Sequence, residues 1–380
     1  MTNKKTLAGY IVNFIICLVL VVFAALASSM GMLPKTSTMI WQCCYFIILA
    51  CSLNLVLGFL GQLSLGHCGF MAVGAYSAAL ISLAFQRAGF YTDKSGPEFM
   101  LVLLICIVAA GVLAAIVGLI VGIPALRLKG DYLAIITLGF GMIIVNVINN
   151  LPFCGMDGLA LGSASSALYQ NGLGFVLHQL TEYLWLPVLL VVVCVALMFA
   201  FIRSKYGRTI KAIRDNEIAA GASGVNVSYY KVLTFVLGAF FAGIAGAIFA
   251  CCNSSLTTGS FSFTSSSILN STFIVVMVVV GGMGSLTGSA VSAVGMFLLN
   301  YTIKNGKWVE ALPNFVQQIF AYPMLVYSIA LIIVIIFRPK GIFGTYEFSV
   351  VKFVTGIPAW PAYFKKKFSG KNAEEVAGNE

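Results

Sequence analysis

The charged side chains of this sequence are concentrated in one internal segment, where they could bind a charged surface or a soluble partner. Only 9% of the 380 residues are charged. Yet seven charges lie within the fifteen residues from Arg203 to Glu217, namely Arg203, Lys205, Arg208, Lys211, Arg214, Asp215 and Glu217. Such a concentration in an otherwise apolar chain indicates a segment that lies in water and makes polar contacts.

Helical periodicity gives this segment two faces. On a helix from about Arg208 to Gly221, one side carries Arg208, Lys211 and Asp215, and the other carries Ile210, Ile213, Glu217 and Ala220. Gly221 and Gly224 can end the helix, and Ser228 can cap the next one. The pattern predicts a short amphipathic helix, which fits either a membrane surface or a docking site for a soluble protein.

A second group of polar side chains lies in GQLSLGHCGF, residues 61–70. Gly58, Gly61 and Gly66 interrupt two apolar runs there, and Gln62, Ser64 and His67 lie within the runs. A helix broken near the middle of a membrane would expose such groups to a substrate pathway. Hydrogen bonds between helices would explain Gln62 and His67 equally well. One histidine without nearby acids does not make a proton relay or a metal site.

Other kinds of chemistry find little support. Ten cysteines are present without a CxxC pair, as expected of small apolar fillers, so no metal site is predicted. The apolar runs hold almost no acids, which argues against a membrane enzyme and against a charged channel ring. The sequence has no GxxxxGK[ST] phosphate loop, so the chain is not expected to be an ATPase or to carry a cofactor.

The composition points to helices that cross a membrane. Hydrophobic residues make up 60% of the chain, and the mean hydropathy is +1.00. Continuous apolar runs of about twenty residues are long enough to span the bilayer as helices, whereas barrel strands would alternate. The net charge of +10 is explained by cytoplasmic loops rich in Lys and Arg, without nucleic acid.

Ten spans are predicted, approximately at residues 8–28, 38–60, 64–86, 100–126, 131–151, 183–202, 229–251, 265–282, 286–303 and 318–337. With both termini in the cytoplasm, 17 of the 22 Lys and Arg residues lie on the inner side. Residues 1–345 are predicted to form one transmembrane domain. Its first apolar run is predicted to remain as a helix rather than to be cleaved as a signal peptide. Residues 346–380 are predicted to form a basic and then acidic cytoplasmic tail.

Five motifs occur in the order typical of one transporter family. They are NLVLGFLGQLSLGHCGFMAVGAYSAAL (54–80), ALRLKGDYLAIITLGFG (125–141), the segment beginning GRTIKAIRDNEIAAGASG (207–224), VVGGMGSLTGSAVSA (279–293) and FRPKGIFG (337–344). On these motifs, residues 37–345 resemble the LivM-type permeases of branched-chain amino-acid ABC importers. The resemblance implies an all-α type II importer permease, in which spans 2–5 and 7–10 form an inverted repeat.

The resemblance also implies roles for individual residues. The cytoplasmic helix would dock on an ATP-binding subunit through Arg208, Lys211, Arg214, Asp215, Glu217, Ala219, Ala220, Gly221 and Gly224. On this basis, Ala220→Arg is predicted to abolish transport and docking. The substrate pathway would involve Gln62, Ser64, His67, Thr137 and Asn146. The family often has an acidic residue after GFG, but Met142 stands here, so no buried carboxylate is inferred.

The implied function is that of a bacterial plasma-membrane subunit that imports branched-chain amino acids. Its expected partners are two ATP-binding subunits, a second homologous permease, an extracytoplasmic substrate-binding protein and the lipid bilayer. The binding protein would meet the outer face near residues 152–181 and 252–264. A permease for urea or short amides is the alternative, because its motifs are similar. The form GDYLAIITLGFG favours amino acids.

Overall fold

The computed structural model describes residues 34–89, 97–126, 131–151, 159–160, 185–253, 255–256, 258–261, 271–305, 323–338, 341–342 and 344. All of them belong to a compact unit that extends from Ala24 to Tyr346. The predicted first span and the predicted tail lie outside the described residues. The side chains of Arg127, Lys129 and Asp131, where the predicted fourth and fifth spans meet, also lie outside them.

The described part of the chain is built mainly of helices. The first half contains α1 (Pro34–Asn54), which continues into a π-helical turn (Leu55–Phe59), then α2 (His67–Arg87), α3 (Pro97–Ala125), α4 (Asp131–Asn150) and α5 (Trp185–Arg203). The second half contains α6 (Lys205–Asp215), α7 (Glu217–Ala222), α8 (Val227–Cys252), α9 (Ser271–Gly281), α10 (Leu286–Asn305) and α11 (Pro323–Phe337).

Nine of the ten predicted spans overlap described helices. Seven of these helices are long and apolar enough to cross a membrane, whereas α9 and α11 are apolar but shorter. Leucine and isoleucine side chains on α3, α4 and α11 are exposed, as expected for surfaces that face lipid. The count of ten spans and the inverted repeat stay predictions.

A two-residue strand pair adds to the helices. Strand β1 (Leu159–Ala160) pairs antiparallel with β2 (Ser255–Leu256), so that Leu159 lies opposite Leu256. A 3₁₀ turn follows at Thr258–Phe261, and the hydroxyl of Tyr76 in α2 donates to the carbonyl of Leu256. The pair joins the two segments that were predicted to lie on the outer face.

Helix α8 lies at the centre and packs against α1, α2 and α3. Small residues bring these helices into backbone contact. A Cβ atom added to Gly74 of α2 would lie 2.2 Å from the carbonyl oxygen of Gly243 in α8, and one added to Gly246 would lie 2.1 Å from that of Met71. The small residues of α8 therefore serve close helix packing.

We expect Gly74→Ala to destabilise the fold strongly, because the new methyl group would overlap the backbone of α8. The cost should be about 3 kcal/mol, since neither backbone can move aside without disturbing its helix. Thermal unfolding of the detergent-purified chain, followed by dye binding to its buried cysteines, measures the loss. Gly295→Ala in α10 is the matched control, because nothing lies within 4 Å of its Cβ position. Equal unfolding temperatures of the two variants would contradict the prediction.

Candidate functional site

The first helix break lies between α1 and α2. After the π-helical turn, the Leu60 and Gln62 amides donate to the carbonyls of Leu55 and Val56 at 3.2 and 3.1 Å. Gly61 then adopts a φ of 77°, which glycine tolerates and other residues rarely adopt. The chain stays non-helical until His67 begins α2. The predicted interruption of the two apolar runs is therefore present in the structure.

The far end of this break lies well inside the bundle. The imidazole of His67 is hydrogen-bonded to the hydroxyl of Ser52 at 2.7 Å, and both residues lie beside Gly238 of α8. Gly238 lies roughly 16 Å along a helix of roughly 39 Å, at 1.5 Å per residue. His67 was interpreted either as a pathway residue or as a hydrogen-bonding link between helices. The structure shows the link, because this bond joins α1 to α2.

Two buried polar atoms in the break have no hydrogen-bond partner in the protein. The Ser64 side chain is fully buried, and both its hydroxyl and the Gln62 Oε1 atom are buried without a hydrogen-bond partner. Buried polar atoms are costly unless they are paired. These two groups therefore mark a place in the break where water or a polar solute could supply the missing bonds.

Helix α4 supports the end of the break. The Leu65 amide donates to Thr137 Oγ1 at 3.1 Å, and a Cβ atom on Gly66 would lie 2.1 Å from the Thr137 carbonyl oxygen. A small pocket adjoins this contact. Its lining includes Gly66, Gly69, Gly141, Met142, Phe261 and Ser271. Asn146, by contrast, is exposed on α4 and is not part of this contact.

A second break separates α9 from α10. Gly282 and Gly284 adopt φ values of 124° and 95°, and the chain between these two helices is non-helical from 282 to 285. The segment of the FRPKGIFG motif lies directly beside it. A Cβ atom on Gly341 would lie 2.4 Å from the Gly282 Cα atom, and the Ile342 amide donates to the Val280 carbonyl at 2.9 Å.

Asn54 joins the two breaks. Its side chain is fully buried. The amide nitrogen donates to the Ser285 carbonyl at 2.8 Å and to the Ser289 hydroxyl at 2.7 Å, and its oxygen accepts from the Gly284 amide at 3.0 Å. The Asn54 side chain therefore closes the contact between breaks about 230 residues apart in the sequence.

The charged segment contacts the place where Asn54 joins the two breaks, which we call the junction. The Arg214 guanidinium at the end of α6 donates to the Gly58 carbonyl at 2.5 Å. The Lys211 ammonium lies 5.3 Å from the centroid of the Phe59 ring. Among the described residues, all five sequence motifs thus converge on the two breaks, although they are spread over almost 300 residues of the chain.

The prediction of one helix from 208 to 221 is wrong in detail, because two helices are present. Asn216 is extended, with a φ of −156°, and its side chain accepts from the Ala219 amide to start α7. Ile210, Ile213 and Ala220 are buried, as the apolar face requires. The next helix is capped by Asn226, whose side chain accepts from the Tyr229 amide, so the predicted Ser228 cap is also wrong.

A partly buried ion pair fixes α7 to α8. The Lys231 ammonium lies 2.8 Å from the Glu217 carboxylate, and their side chains are 5% and 42% exposed. A lysine buried to this degree needs a partner. Glu217, which was predicted to contact an ATP-binding subunit, therefore also has an internal role in this structure.

The remaining side chains of the segment form an exposed surface. Arg208, Lys211, Asp215, Ala219, Gly221 and Gly224 are exposed, and Gly224 has a φ of 84°. Ile218 stands among them at 83% exposure. Ala220, in contrast, is only 7% exposed, so it faces the protein rather than solvent. We call Arg208, Lys211, Ile218, Ala219 and Gly221 the α6–α7 surface.

Ile218 and Asn54 were missed by the sequence reasoning. Asn54 was a polar residue in an apolar run, one turn before Gly58, and that spacing was an available signal. Ile218 carried no signal, because exposure depends on the break at Asn216. No group of three His, Cys, Asp or Glu side chains that could hold a metal occurs in the part of the chain that the structure describes.

Comparison with known proteins identifies the family. The family model described as the permease component of the branched-chain amino acid transport system matches residues 35–336. The high-affinity branched-chain amino acid transport system permease proteins LivM of Escherichia coli K12 and Salmonella typhimurium LT2 are 32% and 31% identical to this chain, over 78% of the chain and 67% of each relative.

A more distant relative matches this chain over nearly the whole length of the relative. A probable branched-chain amino acid transport permease protein LivM from Methanocaldococcus jannaschii is 23% identical over 80% of this chain and 91% of the relative. No solved structure matches the chain. The five motifs, the apolar helices and these matches agree, and the chain therefore belongs to the permease-component family of the branched-chain amino acid transport system, whose members are transport proteins rather than enzymes.

Proposed function

We propose that this chain is the transmembrane permease subunit of an ABC importer for branched-chain amino acids. Separate ATP-binding subunits would drive it, because a permease of this kind has no phosphate-binding loop of its own. The observation that carries the proposal is the contact of α6 with both helix breaks. Arg214 of α6 donates to the Gly58 carbonyl and lies beside Gly284, where Asn54 of α1 joins the two breaks.

The α6–α7 surface is proposed to dock in a groove of an ATP-binding subunit. The buried face of α6 and α7 holds Ile210, Ile213 and Ala220 against the protein, which leaves the opposite face for a partner. An isoleucine that is 83% exposed beside basic side chains fits an apolar anchor surrounded by a polar rim. The charges would steer the approach of the partner.

The substrate pathway is proposed to run past the first break. Gln62 and Ser64 carry buried polar atoms without partners, and backbone in a break can bind the polar groups of a solute. The adjoining pocket is lined by small and apolar residues, including Gly66, Gly141 and Phe261. A small polar head with an aliphatic side chain, as in leucine, isoleucine or valine, fits this combination.

The proposed assembly contains further partners. A second homologous permease, two ATP-binding subunits and an extracytoplasmic substrate-binding protein would complete the importer in a bacterial plasma membrane, with both termini of this chain in the cytoplasm. The strand pair at 159–160 and 255–256 brings together the two segments that are proposed to receive the binding protein.

Uptake of labelled leucine tests the substrate assignment. Cells without this chain should lose high-affinity leucine uptake, and re-expression should restore it. Excess unlabelled isoleucine and valine should compete, and urea should not, because urea has no aliphatic side chain. Unchanged leucine uptake together with lost urea uptake would contradict the amino-acid assignment and support the amide alternative.

A further inference from the structure

Arg214 makes a contact that docking on an ATP-binding subunit does not explain. Arg214 is exposed, yet its Nη1 atom donates to the Gly58 carbonyl at 2.5 Å. The same atom would lie 3.0 Å from a Cβ atom added to Gly284, and the Arg214 Cγ atom would lie 3.0 Å from one added to Gly61. One side chain of α6 therefore touches both helix breaks.

The glycines at these contacts leave room for the arginine and for the two backbones. A Cβ atom on Gly58 would lie 2.4 Å from the Gly284 amide nitrogen and 1.8 Å from Asn54 Oδ1. Any larger residue at Gly58 would push apart the two breaks that Asn54 connects. The junction thus consists of a glycine contact, an asparagine that bridges it and an arginine that covers its α6 side.

The carbonyl that accepts from Arg214 belongs to the π-helical turn. Gly58 lies within Leu55–Phe59, directly before the non-helical residues that carry Gln62 and Ser64. A charged donor makes a stronger hydrogen bond than a neutral one, but only while its position is held. A small displacement of α6 would therefore release the end of the break and the segment that follows it.

We propose that Arg214 and Asn54 are positioning residues that keep the two breaks joined, so that displacement of α6 separates them and opens the pathway at its α6 end. This inference rests on the proposed function, because an ATP-binding subunit would move α6. Arg214 acts through the Gly58 carbonyl, and Asn54 acts through Gly284, Ser285 and Ser289. Neither residue is proposed to contact the substrate.

Cys68 reports on the junction without reference to any substrate. It is 1% exposed, follows His67 at the start of α2 and lines the pocket beside the first break. Membranes that contain the full chain are treated with N-ethylmaleimide, and peptide mass spectrometry measures the modification rate of Cys68. Cys251 in α8, which is 2% exposed, serves as an internal reference for general unfolding.

We expect Arg214→Ala and Asn54→Leu to raise the modification rate of Cys68 about tenfold, the factor for loss of one charge-assisted hydrogen bond, while Cys251 keeps its rate. The Cys68 rate in Arg214→Lys should lie between those of the wild type and Arg214→Ala, because lysine retains a donor with less reach. Lys205→Ala is the control, because it removes a positive charge from the same helix. The Lys205 ammonium lies over the Tyr206 ring rather than at the breaks, so the Cys68 rate in this variant should equal the wild-type rate.

Two results would overturn the proposal. One is an unchanged Cys68 rate in Arg214→Ala. The other is a parallel rise of Cys68 and Cys251, which would show general loosening. Leucine uptake is measured on the same cells. Wild-type cells without leucine uptake would overturn the substrate assignment instead, and the Cys68 rates would still decide the role of Arg214.

Discussion

Replacement of Ile218 by aspartate is expected to abolish leucine uptake while the chain remains in the membrane in normal amounts. Ile218 is 83% exposed, so the free protein loses no packing when the side chain changes. Buried in a partner's groove, the same side chain would contribute about 2–3 kcal/mol, and a carboxylate there would have to be desolvated. Association with the ATP-binding subunits should weaken by at least about 100-fold.

Ile218→Leu is the matched control, because it keeps an apolar side chain of the same size at the same position. Its uptake and its co-purification with the ATP-binding subunits should be close to wild type. If Ile218→Asp transported leucine normally and still retained these subunits, the α6–α7 surface would not be the docking site.

Ala220→Arg is expected to abolish uptake by a different route. The resemblance placed Ala220 at the docking surface, but its 7% exposure puts it within the packing of α7. An arginine there overfills the contact and buries a charge, which should cost about 3–5 kcal/mol and release α7 from the protein. Because Glu217 belongs to α7, its ion pair with Lys231 should be lost when α7 is released.

Limited proteolysis separates these two routes. Ala220→Arg should create a rapid cleavage site between residues 216 and 226, where α7 and its flanking turns lie, whereas Ile218→Asp should be cleaved at the wild-type rate. Ala219→Arg is a useful companion because Ala219 is exposed, and it should resist proteolysis. A proteolysis-resistant Ala220→Arg chain without uptake would return Ala220 to the docking surface.

Helix positions could be predicted from sequence because apolar length is a direct physical requirement of a bilayer. Runs such as 100–126 and 286–303 can bury their backbone groups only as helices, and α3 and α10 lie there. The first break was also predictable, since Gly58, Gly61 and Gly66 interrupt two apolar runs, and Gly61 occupies a φ value that other residues avoid.

The junction between the breaks could not be predicted in this way. The bonds of Asn54 to Ser285 and Ser289 join residues that are 231 and 235 positions apart, and periodicity carries no information over that distance. The exposure of Ile218 depends on one extended residue, Asn216, which interrupts an otherwise helical pattern. Both features arise from tertiary packing and from local turn chemistry that hydropathy does not record.

The backbone contacts among α2, α3 and α8 have a consequence for how the protein can move. Gly243 lies against the backbone of Gly74 on one side and against the backbone of Ala110 and Gly111 on the other. Helices in such contact cannot slide or rotate past one another without collision, so these three should travel as one rigid piece. In the proposed importer, hinge motion would then be confined to the two breaks. Spectroscopic distance probes on α2, α3 and α8 should therefore report constant separations throughout the transport cycle.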